Sequence, residues 1–366
     1  TYAGLPNDRR RSSVNLKKLD KTVGDNFRNV GNYKSAIGGL RNALSSLGLA
    51  VGIGAGVRNI GGIIANFDQA VTDLGAISGK TADELKPLNE QAKQLGATPQ
   101  FSASEVTGLQ IELAKLGFTT QEIMDSTGGI ANFAAATGVE IPRAAALAGS
   151  ALRAFGLEAT EIDRVVSTLG VATTKTALDF SKLENGLSTV APVAASFGFS
   201  IEDTTALLGQ LSNAGFDASS SATATRNILL NLADAGGGLA QELGRPVKNA
   251  EDLALGLQEL KDRGIDLASA LELTDKRSVA AFSTFIENAD TLTELRDSIT
   301  DVNDELQAMA DKRLKSVQGA LKLLGSAFES QVLGFNEATG ASQKFQASIN
   351  FVAENLGTIF SILTKL

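Results

Sequence analysis

The chain has 366 residues, enough for two or three ordinary domains, and 43% of them are hydrophobic. It contains no histidine and no cysteine, which excludes Ser-His-Asp and Cys-His catalytic groups, histidine-bound metals and disulfides. The net charge of −8 is unevenly spread, because residues 1–41 carry nine basic and three acidic side chains whereas residues 97–240 carry seven and fourteen, and such an acidic middle disfavours a nucleic-acid-binding core.

Residues 1–45 are predicted to form a basic N-terminal helical arm. The runs Arg9–Arg11 and Lys17–Lys18 offer positive charge to nucleic acid, to an anionic membrane or to an acidic partner. The favoured interpretation is a solvated arm without a fixed partner. Apolar residues at steps of three and four predict one apolar stripe along the helix: Leu16, Leu19, Val23, Phe27 and Val30.

Residues 46–94 are predicted to hold a Gly/Ala-rich apolar segment and an amphipathic helix. The stretch 47–65 has three interpretations. A membrane span fits its length, but Arg58 and Asn59 lie inside it and are costly in a bilayer. Gly52–Gly56 is similar to a dinucleotide-binding fingerprint, but its third glycine is misplaced and no strand is predicted before it. A close-packed helix interface of small residues is therefore favoured.

The amphipathic helix is predicted from Phe67 to Lys80. Thr81 and Glu84 then have the spacing of a capping box, in which two side chains satisfy free N–H groups at a helix start. Pro87 lies within the helix that this box begins, and we expect it to kink or shorten that helix.

Residues 95–240 are predicted to form an array of short helical hairpins. An apolar residue followed by a short polar or acidic residue recurs seven times, at intervals of 17 to 23 residues. Helix pairs therefore recur about every 40 residues, which is typical of stacked helical hairpins. The instances of this capping phrase are Phe101-Ser102, Phe118-Thr119, Val139-Glu140, Leu157-Glu158, Phe180-Ser181, Phe199-Ser200 and Phe216-Asp217.

Local signals predict where these helices begin and end. Four phrases have the capping-box spacing: Ser102 with Glu105, Thr119 with Glu122, Ser181 with Glu184 and Ser200 with Asp203. The apolar residues Phe101, Phe118 and Leu157 are expected to pack on the fourth helical residues Val106, Ile123 and Ile162. Glycines are expected to end the preceding helices in a left-handed conformation: Gly117, Gly138, Gly156, Gly198 and Gly215.

The array is predicted to end at Gly236–Gly238, interpreted as a flexible joint because a phosphate-binding role needs a preceding strand. Residues 241–300 are predicted to form a second helical segment. Residues 301–366 are predicted to form a long amphipathic helix and an apolar C-terminal segment, 345–366. The chain starts without Met and ends within a helical pattern, so we expect it to be a fragment of a longer protein.

Together these patterns predict an all-α fold: an array of short helical hairpins with longer flanking helices. The acidic pairs Glu161 with Asp163 and Glu202 with Asp203 point apart on a helix, so they are interpreted as partners of helix N-termini and not as acid-base pairs. No catalytic, cofactor-binding or metal-binding residue is assigned. Neither enzymatic activity nor a cofactor is expected.

Several phrases recur in a characteristic order over roughly residues 60–235. They are Ala65–Ala70, Leu74–Gly79, Leu95–Val106, Leu113–Phe118, Ala154–Ala159, Val190–Ala195, Gly215–Phe216 and Thr225–Leu229. In their order and spacing they resemble the core of phage tail tape-measure proteins, also called phage minor tail proteins. The resemblance fades after Gly238.

The resemblance implies a structural virion protein that acts as a ruler in the lumen of the phage tail. It implies tail tube, tail tip or baseplate proteins and tail assembly chaperones as partners, and a homo-oligomer. It also implies assembly in the host cytoplasm and exit ahead of the DNA at infection, with apolar segments that contact the host membrane. The family has no catalytic residues to carry over.

Two other classes of function remain open on the sequence. An α-helical solenoid or bundle adaptor that binds a protein partner explains the 40-residue period equally well. A nucleotide-dependent enzyme depends on Gly52–Gly56 alone. Neither explains the ordered phrases, so the tape-measure interpretation is preferred.

Overall fold

The structure, a computed structural model, describes residues 53–96, 101–234 and 237–314, together with residues 329 and 333. Fifteen α-helices and one 3₁₀ turn lie in these residues, with no strand among them, which confirms the all-α fold class. The helices are α1 (Ile53–Ser78), α2 (Ala82–Gly96), α3 (Ala103–Lys115), α4 (Thr120–Thr137), α5 (Ile141–Phe155), α6 (Ile162–Lys175), α7 (Phe180–Phe197), α8 (Ile201–Asn213), α9 (Ala218–Ala233), α10 (Gly238–Leu243), α11 (Ala250–Asp262), α12 (Leu267–Leu273), α13 (Val279–Glu287), α14 (Ala289–Asp297) and α15 (Asn303–Leu314).

The first nine helices pack as two layers. One layer contains α1, α3, α5, α7 and α9, each packed against the next. The other contains α2, α4, α6 and α8, and α14 continues it beyond α8. Sequential helices such as α3 with α4 and α7 with α8 also pack across the layers. The hairpins therefore stack side by side and share one hydrophobic core.

Most helix starts follow the predicted caps. Ser102, Thr119 and Ser200 each accept a hydrogen bond from the backbone N–H of the acidic residue three positions on. The side chain of that acidic residue in turn accepts a hydrogen bond from the backbone N–H of the capping residue. Thr81 and Glu84 make the same reciprocal contacts at the start of α2. All five glycines predicted to end helices have positive φ angles, between 64° and 94°. These predictions are confirmed.

Two predicted helix starts are wrong in detail. The cap of α7 is Asp179, whose carboxylate accepts from the Lys182 N–H, so Ser181 lies within the first turn and its predicted capping box with Glu184 does not form. Asp179 has the extended backbone of a capping residue, and its carboxylate accepts the hydrogen bond. The helix therefore begins two residues before the position that Ser181 would have set. Glu158 begins a 3₁₀ turn, Ala159–Glu161, and α6 starts only after it.

The large side chains of the capping phrase fill the space between helices. Phe118 and Phe199 are buried, as expected for residues that pack at a helix start. Leu157 has intermediate exposure and packs against the same core. Small residues dominate elsewhere in the core and allow close approach, as at Gly186 and Gly149, where an added methyl group would collide with leucine side chains.

Helix α2 continues through Pro87 to Gly96, so the proline does not shorten it. Gly54 and Gly56 lie inside α1 and not in a turn. Among the described helices, none is long and apolar enough to span a membrane. The arm 1–45, residues 46–52 and the apolar segment 345–366 lie outside the described residues, so the interpretations placed on them remain predictions.

Candidate functional site

Helix α8 is the most enclosed element and the centre of the site described here. Twelve of its thirteen residues are buried, and it packs against α6, α7, α9 and α14. Its first turn carries two acidic residues, Glu202 and Asp203, both almost fully buried. Buried carboxylates are costly unless they are paired. Their partners therefore decide how α8 is held.

Glu202 is paired with Arg164 of α6. The guanidinium Nε and Nη2 atoms donate to the two carboxylate oxygens at 2.7 and 2.9 Å. Arg164 Nη1 also donates to Glu161 at 2.9 Å. Burial raises the pKa of Glu202, but the hydrogen bonds and charge of Arg164, together with the hydrogen bonds at the start of α8, hold the pKa below its ordinary value. Glu202 is therefore a charged structural partner that joins α6 to α8.

Asp203 makes different contacts from its neighbour. Its carboxylate accepts from the backbone N–H of Ser200 at 3.0 Å and completes the cap of α8. On its other side, Arg296 of α14 lies 3.9 Å away, measured from Nε to Oδ1. Asp203 thus joins the end of the predicted array to the segment that follows it.

Helix α5 is held at both ends by arginines that stack on phenylalanines of the capping phrase. The Arg153 guanidinium lies 4.0 Å from the centre of the Phe118 ring and donates to Glu122 at 3.0 Å. The pKa of Glu122 is lowered, first by the Thr119 N–H and also by Arg153. Phe118 therefore packs in the core and also contacts Arg153 at the surface.

At the other end of α5 the same arrangement joins it to α7. Arg143 lies 4.9 Å from the centre of the Phe180 ring and donates to Glu184, with Nη2 2.6 Å from the carboxylate. Its Nη2 also donates to Ser181. The residues of the predicted capping box at Ser181 thus bind an arginine instead. The sequence carries no local signal for these pairs, because their members lie 31 to 41 residues apart.

The acidic residues singled out in the sequence make separate contacts. Glu161 is bound to Arg164, whereas Asp163 lies against Gly129 of α4. The described part of the chain contains no group of three or more acidic side chains placed to hold a metal ion. The glycines at the predicted joint, Gly237 and Gly238, open the six-residue helix α10, and no described strand precedes them.

A groove of about 420 Å³ lies between α8 and α14. Gln210 forms part of its wall, and its amide donates to the Asn288 carbonyl oxygen at 2.5 Å. Asn213, Thr291 and Glu294 complete its polar rim. The sequence does not predict this groove, because its walls come from segments about 80 residues apart. Its described lining contains a single acidic residue, Glu294.

The folded array coincides with a match to a known family. The family model described as phage-related minor tail protein matches residues 89–244, which run from α2 to just beyond α10. No curated protein matches the chain, and no solved structure matches it. The family match supports a structural protein of a phage tail, and hence a component of the virion.

Proposed function

We propose that the protein is a tail tape measure, which sets tail length during assembly and aids genome ejection. The observation that supports this most is the family match, which covers the second half of α2 and helices α3 to α10. The ordered phrases between residues 60 and 235 resemble tape-measure proteins specifically. Glu122 and Asp217, whose pKa values are lowered, hold helix starts, and Glu202, whose pKa is also lowered, is paired with Arg164, which agrees with a structural role for these carboxylates.

In this proposal the array is a compact module and the measuring parts lie outside it. A ruler needs a long helical path, since a helix rises about 1.5 Å per residue. Helices within residues 95–240 are at most 18 residues long and double back at each turn. Residues 95–240 therefore contribute little to length. The proposed partners are the tail tube protein, tail tip or baseplate proteins and assembly chaperones, with further copies of the chain beside it.

The core also suits a module that must open when the tail empties. Several buried hydroxyl groups have no hydrogen-bond partner among the described residues: Ser126, Thr205, Ser221 and Thr225. Each such group costs about 1–3 kcal/mol. Three of them lie on α8 and α9, which pack on each other. The layers are therefore held less tightly than an all-apolar core of the same size would be.

Tail length tests the proposal. In-frame deletions in helical regions outside residues 95–240 should shorten the tail by about 1.5 Å per residue, or about 50 Å for 35 residues. The matched control is deletion of one hairpin inside the array, residues 141–175, which should cause misassembly or failed ejection without proportional shortening. Electron micrographs give the tail lengths.

The second candidate is a helical adaptor, which the stacked two-layer array favours because such arrays present extended surfaces to protein partners. If every deletion leaves tails at wild-type length, the ruler is wrong and the adaptor becomes the better account. Host-membrane contact through residues 47–65 or 345–366 is a separate part of the proposal. Failure of these segments to float with anionic liposomes would remove it.

A further inference from the structure

The array is divided by a boundary between the hairpin of α5 and α6 and the hairpin of α7 and α8, which we call the seam. The first unit, before the seam, consists of α1 to α6 together with α15, which packs against α4 and α6. The second unit, after the seam, consists of α7 to α14. Helices α5 and α7 have fewer residues in contact than any other neighbouring pair of the first layer, and α6 packs less extensively on α8 than on α4. Helix packing is therefore thinner at the seam than in the hairpins before it.

The chain first crosses the seam in the short link between α6 and α7. The N–H and the hydroxyl of Thr176 both donate to the Ala172 carbonyl oxygen, at 3.0 and 2.7 Å, and so belong to α6. The next N–H, that of Ala177, donates to the Asn213 side chain at the end of α8, at 2.7 Å. A bond within the link joins the Leu178 N–H to the Thr176 hydroxyl at 3.1 Å. Hydrogen bonding thus passes from the first unit to the second between two adjacent residues.

The second crossing lies between α14 and α15 and has the same character. The Thr300 hydroxyl donates to the Arg296 carbonyl oxygen at 2.8 Å, which ties it to α14. The Val302 carbonyl oxygen accepts from the Leu306 N–H at 3.2 Å and so begins α15. Between them lies Asp301, whose φ of 54° is uncommon for a residue other than glycine. A change of backbone angle at either crossing would turn one unit against the other without breaking a helix.

Two arginine contacts close the seam, one in each layer. In the first layer Arg143 of α5 stacks on the Phe180 ring and donates to Glu184 of α7 at 2.6 Å. In the second layer Arg164 of α6 holds both carboxylate oxygens of Glu202 in α8. The seam therefore combines thin helix packing with charged contacts between the two units.

We propose that the array opens at the seam as two folded units, which turn about the links at Thr176–Ala177 and at Asp301 when the arginine contacts release. Opening exposes part of the shared hydrophobic core, so the open form is a minor state of the isolated chain. Such partial opening of contiguous units is a general property of folded proteins. The proposal is independent of the tape-measure role, because its test needs the isolated chain and no tail.

The absence of cysteine allows seam opening to be measured with single thiols. Thr168 of α6 lies at the seam, with its hydroxyl 3.4 Å from the Glu202 carboxylate. Thr107 of α3 and Thr225 of α9 lie inside the first and second units, and all three threonines are at most 1% exposed. The variants Thr168→Cys, Thr107→Cys and Thr225→Cys are therefore matched.

Reaction with a thiol reagent, relative to the same thiol in the urea-unfolded chain, should be at least about tenfold faster at residue 168 than at the two controls. The rate at residue 168 should also rise less steeply with urea, because seam opening exposes less surface than unfolding of the chain. A rate at residue 168 no faster than at either control would overturn the proposal.

Hydrogen exchange separates seam opening from local unfolding of α6. If the units part as folded bodies, α6 keeps its backbone hydrogen bonds while the thiol at residue 168 reacts. The backbone N–H of residue 168 should therefore be at least about tenfold better protected than its thiol. Equal protection of the two groups would show that α6 itself unfolds and would overturn the proposal.

Two arginines of α5 test which contacts close the seam. Arg143 reaches across the seam to Glu184, whereas Arg153 joins α5 to Glu122 of α4 within the first unit. They are 44% and 42% exposed, so Arg143→Glu and Arg153→Glu make the same change of charge in similar settings. In the Thr168→Cys chain, Arg143→Glu should raise the rate at residue 168 about fivefold, because it sets two carboxylates together across the seam. Arg153→Glu should leave that rate unchanged, since its contact stays intact when the seam opens. Equal increases in the two variants would show that the thiol reacts only after wider unfolding and would contradict the proposal.

Discussion

Phe118 shows how one side chain joins two levels of the structure. The Phe118 ring is buried between helices, and the Arg153 guanidinium stacks on the face of that ring. The buried ring contributes to the free energy of unfolding through its apolar area and close packing. The contact with the exposed cation contributes little to it, because the cation is in water. The two contributions can therefore be separated by substitution.

Phe118→Ala is expected to lower the free energy of unfolding by about 3–5 kcal/mol, because it removes a buried ring and leaves a cavity. Arg153→Met should cost less than about 1 kcal/mol, since its side chain is 42% exposed. Leu230→Ala, at an exposed leucine, is the control and should stay within about 0.5 kcal/mol. Urea unfolding measures all three. A cost below about 1 kcal/mol for Phe118→Ala would show that the ring does not anchor the helix start.

Arg164 and Glu202 are expected to behave as a coupled pair. Arg164→Met leaves a buried carboxylate without its partner and should cost about 3 kcal/mol, the lower end for a broken buried pair because Arg164 is partly exposed. Adding Glu202→Met should recover much of that loss, since two apolar side chains need no pairing. A double-mutant cycle by urea unfolding measures the coupling. Additive losses would show that the two residues stabilise the fold independently.

At the scale of helices, starts and stops were predictable because their causes lie within a few residues. Ser102, Thr119 and Ser200 cap their helices through residues three positions away, and Gly138 ends α4 by its own conformation. The prediction was wrong at Ser181 because Asp179 offers a competing cap two residues earlier. The contact of Arg143 with Phe180 was missed because it depends on how two helices are placed in space.

The correction at α7 can be tested by substitution. Asp179→Ala removes the observed cap and should cost about 1 kcal/mol. Ser181→Ala should change the free energy of unfolding by less than about 0.5 kcal/mol, because Arg143 keeps its bond to Glu184. Urea unfolding of the two variants decides between the caps. A larger loss in Ser181→Ala than in Asp179→Ala would restore the original prediction.

At the scale of the whole molecule, the sequence predicted the period of the array but not its stacking order. The 40-residue recurrence follows from local caps, whereas the continuation from α8 to α14 involves contacts such as the one between Asp203 and Arg296, which lie 3.9 Å apart in space and far apart in sequence. The packing of α15 against α4 and α6 could not be predicted from the sequence either. Both depend on contacts between distant segments, which periodicity does not encode.

The distribution of titratable groups predicts how stability depends on pH. Several carboxyl groups have pKa values lowered by capping or ion pairing, among them Glu122, Glu202, Asp217, Asp266 and Asp275. The pKa of Glu84 falls from 4.5 to about 2, first because of the Thr81 N–H and then through Lys80. A lowered folded-state pKa stabilises the fold above the unfolded value and loses that effect as the pH falls.

Stability should therefore be nearly constant between about pH 6 and 8, because the chain has neither histidine nor cysteine, the side chains whose ordinary pKa values lie in or nearest that range. It should fall as the pH drops below about 4.5, as the unfolded carboxylates take up protons before the folded ones do. Urea midpoints measured across this range test both parts. Glu202→Gln is the matched variant and should show a shallower fall in acid, since it removes one of the lowered groups. A large change in midpoint between pH 6 and 8, or unchanged stability down to about pH 2, would contradict the capping and pairing contacts described for these carboxylates.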